Sequence, residues 1–161
     1  MKDALLLVDV INDFRHEDGE KLLASFRTRH GALVRALDEA RTRGVPVVYA
    51  NDNFGVWDGD GAGLVERAIA GGAGELIRQI APTQEDSFVL KPRYSAFDHT
   101  PLVLILRELE IERILLAGMS TEGCVAQTAI DARENGFKVT VIASAEKLSN
   151  SSSPRVLPSI V

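Results

Sequence analysis

Short apolar runs alternate along this chain with longer stretches whose apolar residues recur at helical spacing, a pattern that predicts strands and helices in turn. The first run, residues 4–8 (ALLLV), is unbroken and ends at Asp9, which suits a strand covered on both faces. Residues 21–43 place Leu22, Leu23, Phe26, Leu33, Val34 and Leu37 on one stripe before Gly44. This predicts a helix, weakened in its middle by Gly31. Pro46 then opens a second strand over 47–50, and the strand–helix–strand order implies a right-handed crossover with parallel pairing.

The Asp, Asn, Gly and aromatic residues of 51–63 read as a loop. Helical pieces follow at about 64–70 and 74–81, parted by Gly71 and Gly72 and stopped by Pro82. Residues 87–90 form the third predicted strand, which delivers Lys91, and 92–100 form another loop. Pro101 suits the first turn of a helix over 102–109. A fourth strand over 113–117 leads through a sharp turn into a helix that carries Cys124 in its first turn and shows helical spacing over 126–135. Asn135 and Gly136 end it, and 138–143 supply a fifth strand. The expected architecture is one α/β domain over 1–145, a three-layer α/β/α sandwich with a parallel, Rossmann-like sheet of about five strands. An irregular tail over 146–161 follows, because its serines and prolines oppose a helix.

Composition narrows the function classes. A chain of 161 residues, 45% apolar and 25% charged, supports one core of ordinary size. The net charge of −5, with scattered basic residues, gives no basis for a nucleic-acid partner. No run approaches the roughly 18 apolar residues of a membrane span, and the amino terminus does not read as a signal peptide. The single cysteine excludes an internal disulfide and an all-cysteine metal site. It fits a reducing compartment, so a cytoplasmic protein is expected.

Parallel topology puts the carboxyl ends of all strands on one edge, where open α/β sheets bind ligands. Asp9, Lys91 and Cys124 follow the first, third and fourth predicted strands and therefore share that edge. A thiol near a helix amino terminus is biased toward thiolate. A carboxylate to accept its proton and an ammonium to favour its charge would complete a nucleophilic set. Each residue also has an ordinary role: a buried cysteine is commonly inert, a strand-end Asp caps a loop, and a Lys is solvated.

Four motifs in order, LLVDVINDF at 6–14, VYAN at 48–51, KPRYSAF at 91–97 and GMSTEGCV at 118–125, resemble the isochorismatase-like cysteine hydrolase superfamily, which includes nicotinamidases and N-carbamoylsarcosine amidases. The resemblance spans about residues 4–145. It implies that Cys124 is the nucleophile, Asp9 the proton-transferring carboxylate and Lys91 the third member of a triad. It also implies a cis peptide between Met119 and Ser120, which would turn the Ser120 N–H toward that of Cys124 to form an oxyanion hole. Nicotinamidases bind a metal through an Asp-x-His motif after the second strand. Here that region reads NDNF at 51–54 and the three histidines, His16, His30 and His99, lie elsewhere, so no metal and no other cofactor is expected.

Phe14, Phe54, Trp57, Tyr94 and Phe97 lie in loops at the predicted catalytic edge. They either line a small-molecule pocket or close the core as lids. Arg93 either binds an anionic group or is solvated. Relatives continue past the last strand into a further helix. The tail here differs, which would leave apolar sheet surface for a neighbouring copy to cover, and a homo-oligomer is expected. The resulting expectation is a cysteine-dependent hydrolase of a small amide, carbamoyl or related C–N substrate, acting through a thioester. A non-catalytic binding or assembly module and a thiol redox sensor are the alternatives, the latter disfavoured by the lack of a resolving cysteine.

Overall fold

The computed structural model describes residues 1–119 and 121–142. The Met119–Ser120 peptide, the Ser120 N–H, the end of the fifth predicted strand at Ala143 and the 146–161 tail lie outside the described residues. The elements are β1 (Asp3–Val8), α1 (Gly19–Thr42), β2 (Val47–Asp52), α2 (Gly61–Ile69), α3 (Gly74–Gln79), β3 (Ser87–Lys91), α4 (Leu102–Glu108), β4 (Arg113–Gly118), α5 (Ala126–Glu134) and β5 (Lys138–Val141). A π-helical turn, Thr121–Val125, leads directly into α5.

All strand pairs are parallel, in the order β3-β2-β1-β4-β5. Alternation of side chains along the strands builds a core on each face. Leu5, Leu7, Val47, Tyr49, Leu115 and Ala117 meet the stripe of α1 and the apolar residues of α2 and α3. Leu6, Val8, Val48, Ala50, Ile114 and Leu116 meet α4 and α5. Both faces of the central strands β1, β2 and β4 are thus covered, which is why they read as largely apolar runs. The chain steps outward from β1 to β3 and then returns past β1 to β4. This reversal places a topological switch point between the carboxyl ends of β1 and β4.

Those ends are pressed together. Val8 pairs with Gly118, and the Met119 N–H donates to the Val8 carbonyl at 2.9 Å. A Cβ on residue 118 would lie 2.3 Å from the Val8 oxygen, so only glycine fits there.

Several boundaries differ from the sequence-based expectation. Asn51 and Asp52 looked like loop residues, yet their backbones pair with Leu90 and Lys91, so β2 and β3 each run longer than their apolar cores. The strand partner supplies the hydrogen bonds that local composition could not reveal. Helix α1 begins earlier, at Gly19, where a Cβ would lie 1.9 Å from the Phe14 carbonyl oxygen. It also runs through Gly31 without interruption, because that position faces solvent and leaves the stripe of Phe26, His30, Leu33 and Leu37 intact. Helix α2 begins at Gly61, with Asp60 accepting from the Gly63 N–H at 2.8 Å as its cap.

Candidate active site

Lys91 ends β3, is fully buried, and has the chemistry of the site arranged around its ammonium. Its Nζ lies 3.1 Å from Asp9 Oδ2, donates to the Arg93 carbonyl at 3.0 Å, and donates to Cys124 Sγ at 3.4 Å. The three residues singled out in the sequence therefore meet, although β3 and β1 are separated in the sheet by β2. The long lysine side chain spans that gap from the edge strand.

Asp9 sits immediately after β1 with φ of 56°, in the left-handed region that non-glycine residues rarely adopt. Two contacts hold it there. Its N–H donates to the Ala50 carbonyl at 3.0 Å, and its Oδ1 accepts from the Asp52 N–H at 2.8 Å. With Oδ1 tied to the backbone, Oδ2 is left to face the ammonium. Burial works against the charged form of Lys91, but Asp9 and Cys124 outweigh it and raise the lysine above its ordinary pKa.

Cys124 is only 7% exposed and sits in the π-helical turn before α5 rather than in the first turn of a regular helix. π-Turns recur at functional sites, where the extra residue re-aims a side chain. The expected bias toward thiolate is not what the surroundings produce. Burial pushes the thiol up to about 11, the nearby Asp9 carboxylate adds to the rise, and the Lys91 ammonium pulls only partly against them. The thiol is protonated at neutral pH because desolvation and a like charge outweigh the single cation.

Residues to which the sequence assigned no role hold this arrangement. Asn51, 1% exposed, accepts the Ile11 N–H on its side-chain oxygen at 3.0 Å and so fixes the chain beyond Asp9. Thr128 of α5, fully buried, accepts the Ala96 N–H at 3.0 Å and ties the loop after Lys91 to the helix after Cys124. A polar residue at a helix position that should be apolar was the available signal for Thr128. Asp52 accepts the Phe54 N–H on Oδ1 at 2.6 Å, and its Oδ2 lies 3.9 Å from Lys91 Nζ.

The five aromatic candidates are not gathered into one wall. Phe14 packs against Phe26 on the α1 side of the sheet, and Phe97 against Phe137 on the opposite side, with ring centroids 5.4 and 6.1 Å apart. Both rings are half-buried, each packed against the core on its own face of the sheet. Phe54, Trp57 and Tyr94 remain exposed, and so does Arg93.

The described residues do not fit a nicotinamidase-type metal. His30 is buried in α1, with its Nε2 2.8 Å from the Leu76 carbonyl and its ring edge-on to Phe26. His16 and His99 are exposed, and among the described residues no group of three or more His, Cys, Asp or Glu is placed to hold a metal ion. Nor is any described helix long and apolar enough to cross a membrane.

A family model described as the isochorismatase domain matches residues 3–154. The chain belongs to the isochorismatase family. An uncharacterised isochorismatase family protein of Bacillus subtilis, YaaI, is 33% identical over 86% of this chain and 76% of its own length. Among solved structures, N-carbamoylsarcosine amidase from Thermoplasma acidophilum superposes with a TM-score of 0.68 at 30% identity, covering 92% of this chain and 86% of that one. A nicotinamidase from Staphylococcus aureus follows at TM-score 0.61 and 26% identity, covering 88% and 79%. The all-parallel five-stranded sheet with helices on both faces is the fold of this isochorismatase-family chain, as its motifs implied.

Proposed function

We propose that this protein is a cysteine-dependent hydrolase that cleaves a C–N bond in a small amide or carbamoyl compound through a thioester. Supporting it most directly is the ammonium of Lys91, within 3.1 Å of Asp9 Oδ2 and 3.4 Å of Cys124 Sγ at the carboxyl edge of the sheet. The named activities of the structural relatives, an amidase and a nicotinamidase, give the bond class.

The resting charge state shapes the chemistry. With the thiol held up to about 11, a free thiolate at pH 7 costs about 5 kcal/mol. Moving the proton from Sγ to Asp9 avoids part of that cost, because it removes the carboxylate charge that opposes the thiolate while Lys91 stays in place. Attack and proton transfer therefore go together. Sγ bonds to the carbonyl carbon, its proton passes to Asp9, and Asp9 returns it to the departing nitrogen as the C–N bond breaks. Water, giving its proton to Asp9, then cleaves the thioester to the acid and restores the Cys124 thiol. The backbone N–H groups of Ser120 and Cys124 are the proposed donors to the transient oxyanion.

The test is turnover of a panel of small amides and carbamoyl compounds, with acyl adducts sought by mass spectrometry. Wild-type protein should release ammonia or amine, and Cys124→Ala should release none and carry no adduct. Full activity in Cys124→Ala would sink the mechanism.

A further inference from the structure

The triad uses its only cation internally. Lys91 is fully buried, and Asp9, Cys124 and the Arg93 carbonyl lie around its ammonium, so it has no face to offer an incoming anion. Asp52 brings a second carboxylate to the same ammonium, at 3.9 Å and beyond hydrogen-bond distance, with 39% of its side chain exposed. Its Oδ1 accepts the Phe54 N–H, so Oδ2 is the oxygen turned toward the ammonium. Two carboxylates against one ammonium, beside a protonated thiol, leave the site negative.

The segment that follows Asp52 extends the same sign. Residues 53–60 contain Asp58 and Asp60 and no Lys, Arg or His, while Phe54 and Trp57 stand exposed, Trp57 at 77%. Aromatic faces beside carboxylates attract organic cations, through the ring quadrupole as well as by charge. Arg93 is the nearby charge of opposite sign. Its Nη1 lies 3.5 Å from the Pro92 carbonyl, so the guanidinium turns back on its own loop.

We propose that this site takes small amides bearing a cationic group, such as an ammonium remote from the scissile bond, and that Asp52 is the specificity-determining residue that reads the charge. The word substrate rests on the hydrolase reading above; the charge preference of the site does not.

Because Cys124 is the chain's single cysteine, charged thiol reagents test this without a known substrate. The thiolate attacks the sulfenyl sulfur of a methanethiosulfonate, forming a mixed disulfide and releasing methanesulfinate. Rates for the trimethylammonium-ethyl and sulfonato-ethyl reagents, each divided by its rate on a free small thiol, should favour the cationic reagent by about tenfold or more at low salt, and less as salt rises. Asp52→Asn keeps an oxygen for the Phe54 N–H and should cut the preference severalfold. Equal rates, an anionic preference, a preference untouched by salt and by Asp52→Asn, or no labelling at Cys124 would each overturn the proposal. In the amide panel, turnover confined to neutral or anionic amides would overturn it while leaving the hydrolase reading intact. A silent panel with cationic labelling preference would count against the hydrolase reading alone.

Discussion

Asp52 donates its backbone N–H to Asp9 Oδ1 at 2.8 Å, so the last residue of β2 orients the carboxylate that follows β1. The strained φ of Asp9 and its orientation toward Lys91 share this anchor. Extending β2 two residues beyond its apolar run is therefore a condition of the site's geometry.

Asp9 raises the Cys124 thiol, so removing its charge should lower it. Burial is the larger cause and stays, but in Asp9→Asn alkylation of Cys124 by iodoacetamide at pH 8 should be measurably faster than in the wild type. Amide turnover should be lost in the same variant, because the proton acceptor is gone. Slower alkylation in Asp9→Asn would contradict the assigned cause of the shift.

Stability should fall on the alkaline side. Burial raises the folded-state pKa of Cys124 from its ordinary 9.0 to about 11, and Lys91 is raised above 10.5. Between these values the folded state holds protons that the unfolded state has released, so stability is full below about pH 9 and declines as pH rises. Each group contributes a slope of at most about 1.4 kcal/mol per pH unit. Urea midpoints at pH 7.5, 9 and 10.5 should show the decline, and Cys124→Ala should show a shallower one.

Gly118→Ala places a methyl group 2.3 Å from the Val8 oxygen. The strand ends must separate to admit it, at a cost of about 1–3 kcal/mol or more. A thermal melt that matches the wild type would show that β1 and β4 do not approach so closely.

Thr128→Val removes the acceptor of the buried Ala96 N–H without changing side-chain volume much. The unpaired donor should cost about 1–3 kcal/mol, and hydrogen exchange should quicken at Ala96 and its neighbours in the loop after Lys91. Unchanged exchange at Ala96 would show that the loop is held by other contacts.

Legibility differed with the range of the interaction concerned. The central strands could be read because they are covered on both faces and so consist largely of consecutive apolar residues, from the ALLLV run of β1 to the RILLAG of β4. Asp9, Lys91 and Cys124 could be placed on one edge because parallel strands carry their carboxyl ends together. Whether each of the five aromatics lines a pocket or closes the core could not be read, because a loop position does not say where a ring points. Phe14 and Phe97 are half-buried against opposite faces of the sheet, whereas Trp57 is exposed. The thiol's charge state misled because proximity to a helix terminus is a local signal, while burial and the Asp9 carboxylate come from elsewhere in the chain.

By itself the sequence determined the α/β alternation, the glycine and proline breaks and the set of reactive residue types, all properties of neighbours along the chain. Only the tertiary structure decided that Asp52 anchors Asp9 and faces Lys91, that Thr128 ties the loop after Lys91 to α5, and that Cys124 rests as a thiol. Each of these depends on distances between residues far apart in sequence, and on how much water the folded chain removes from around them.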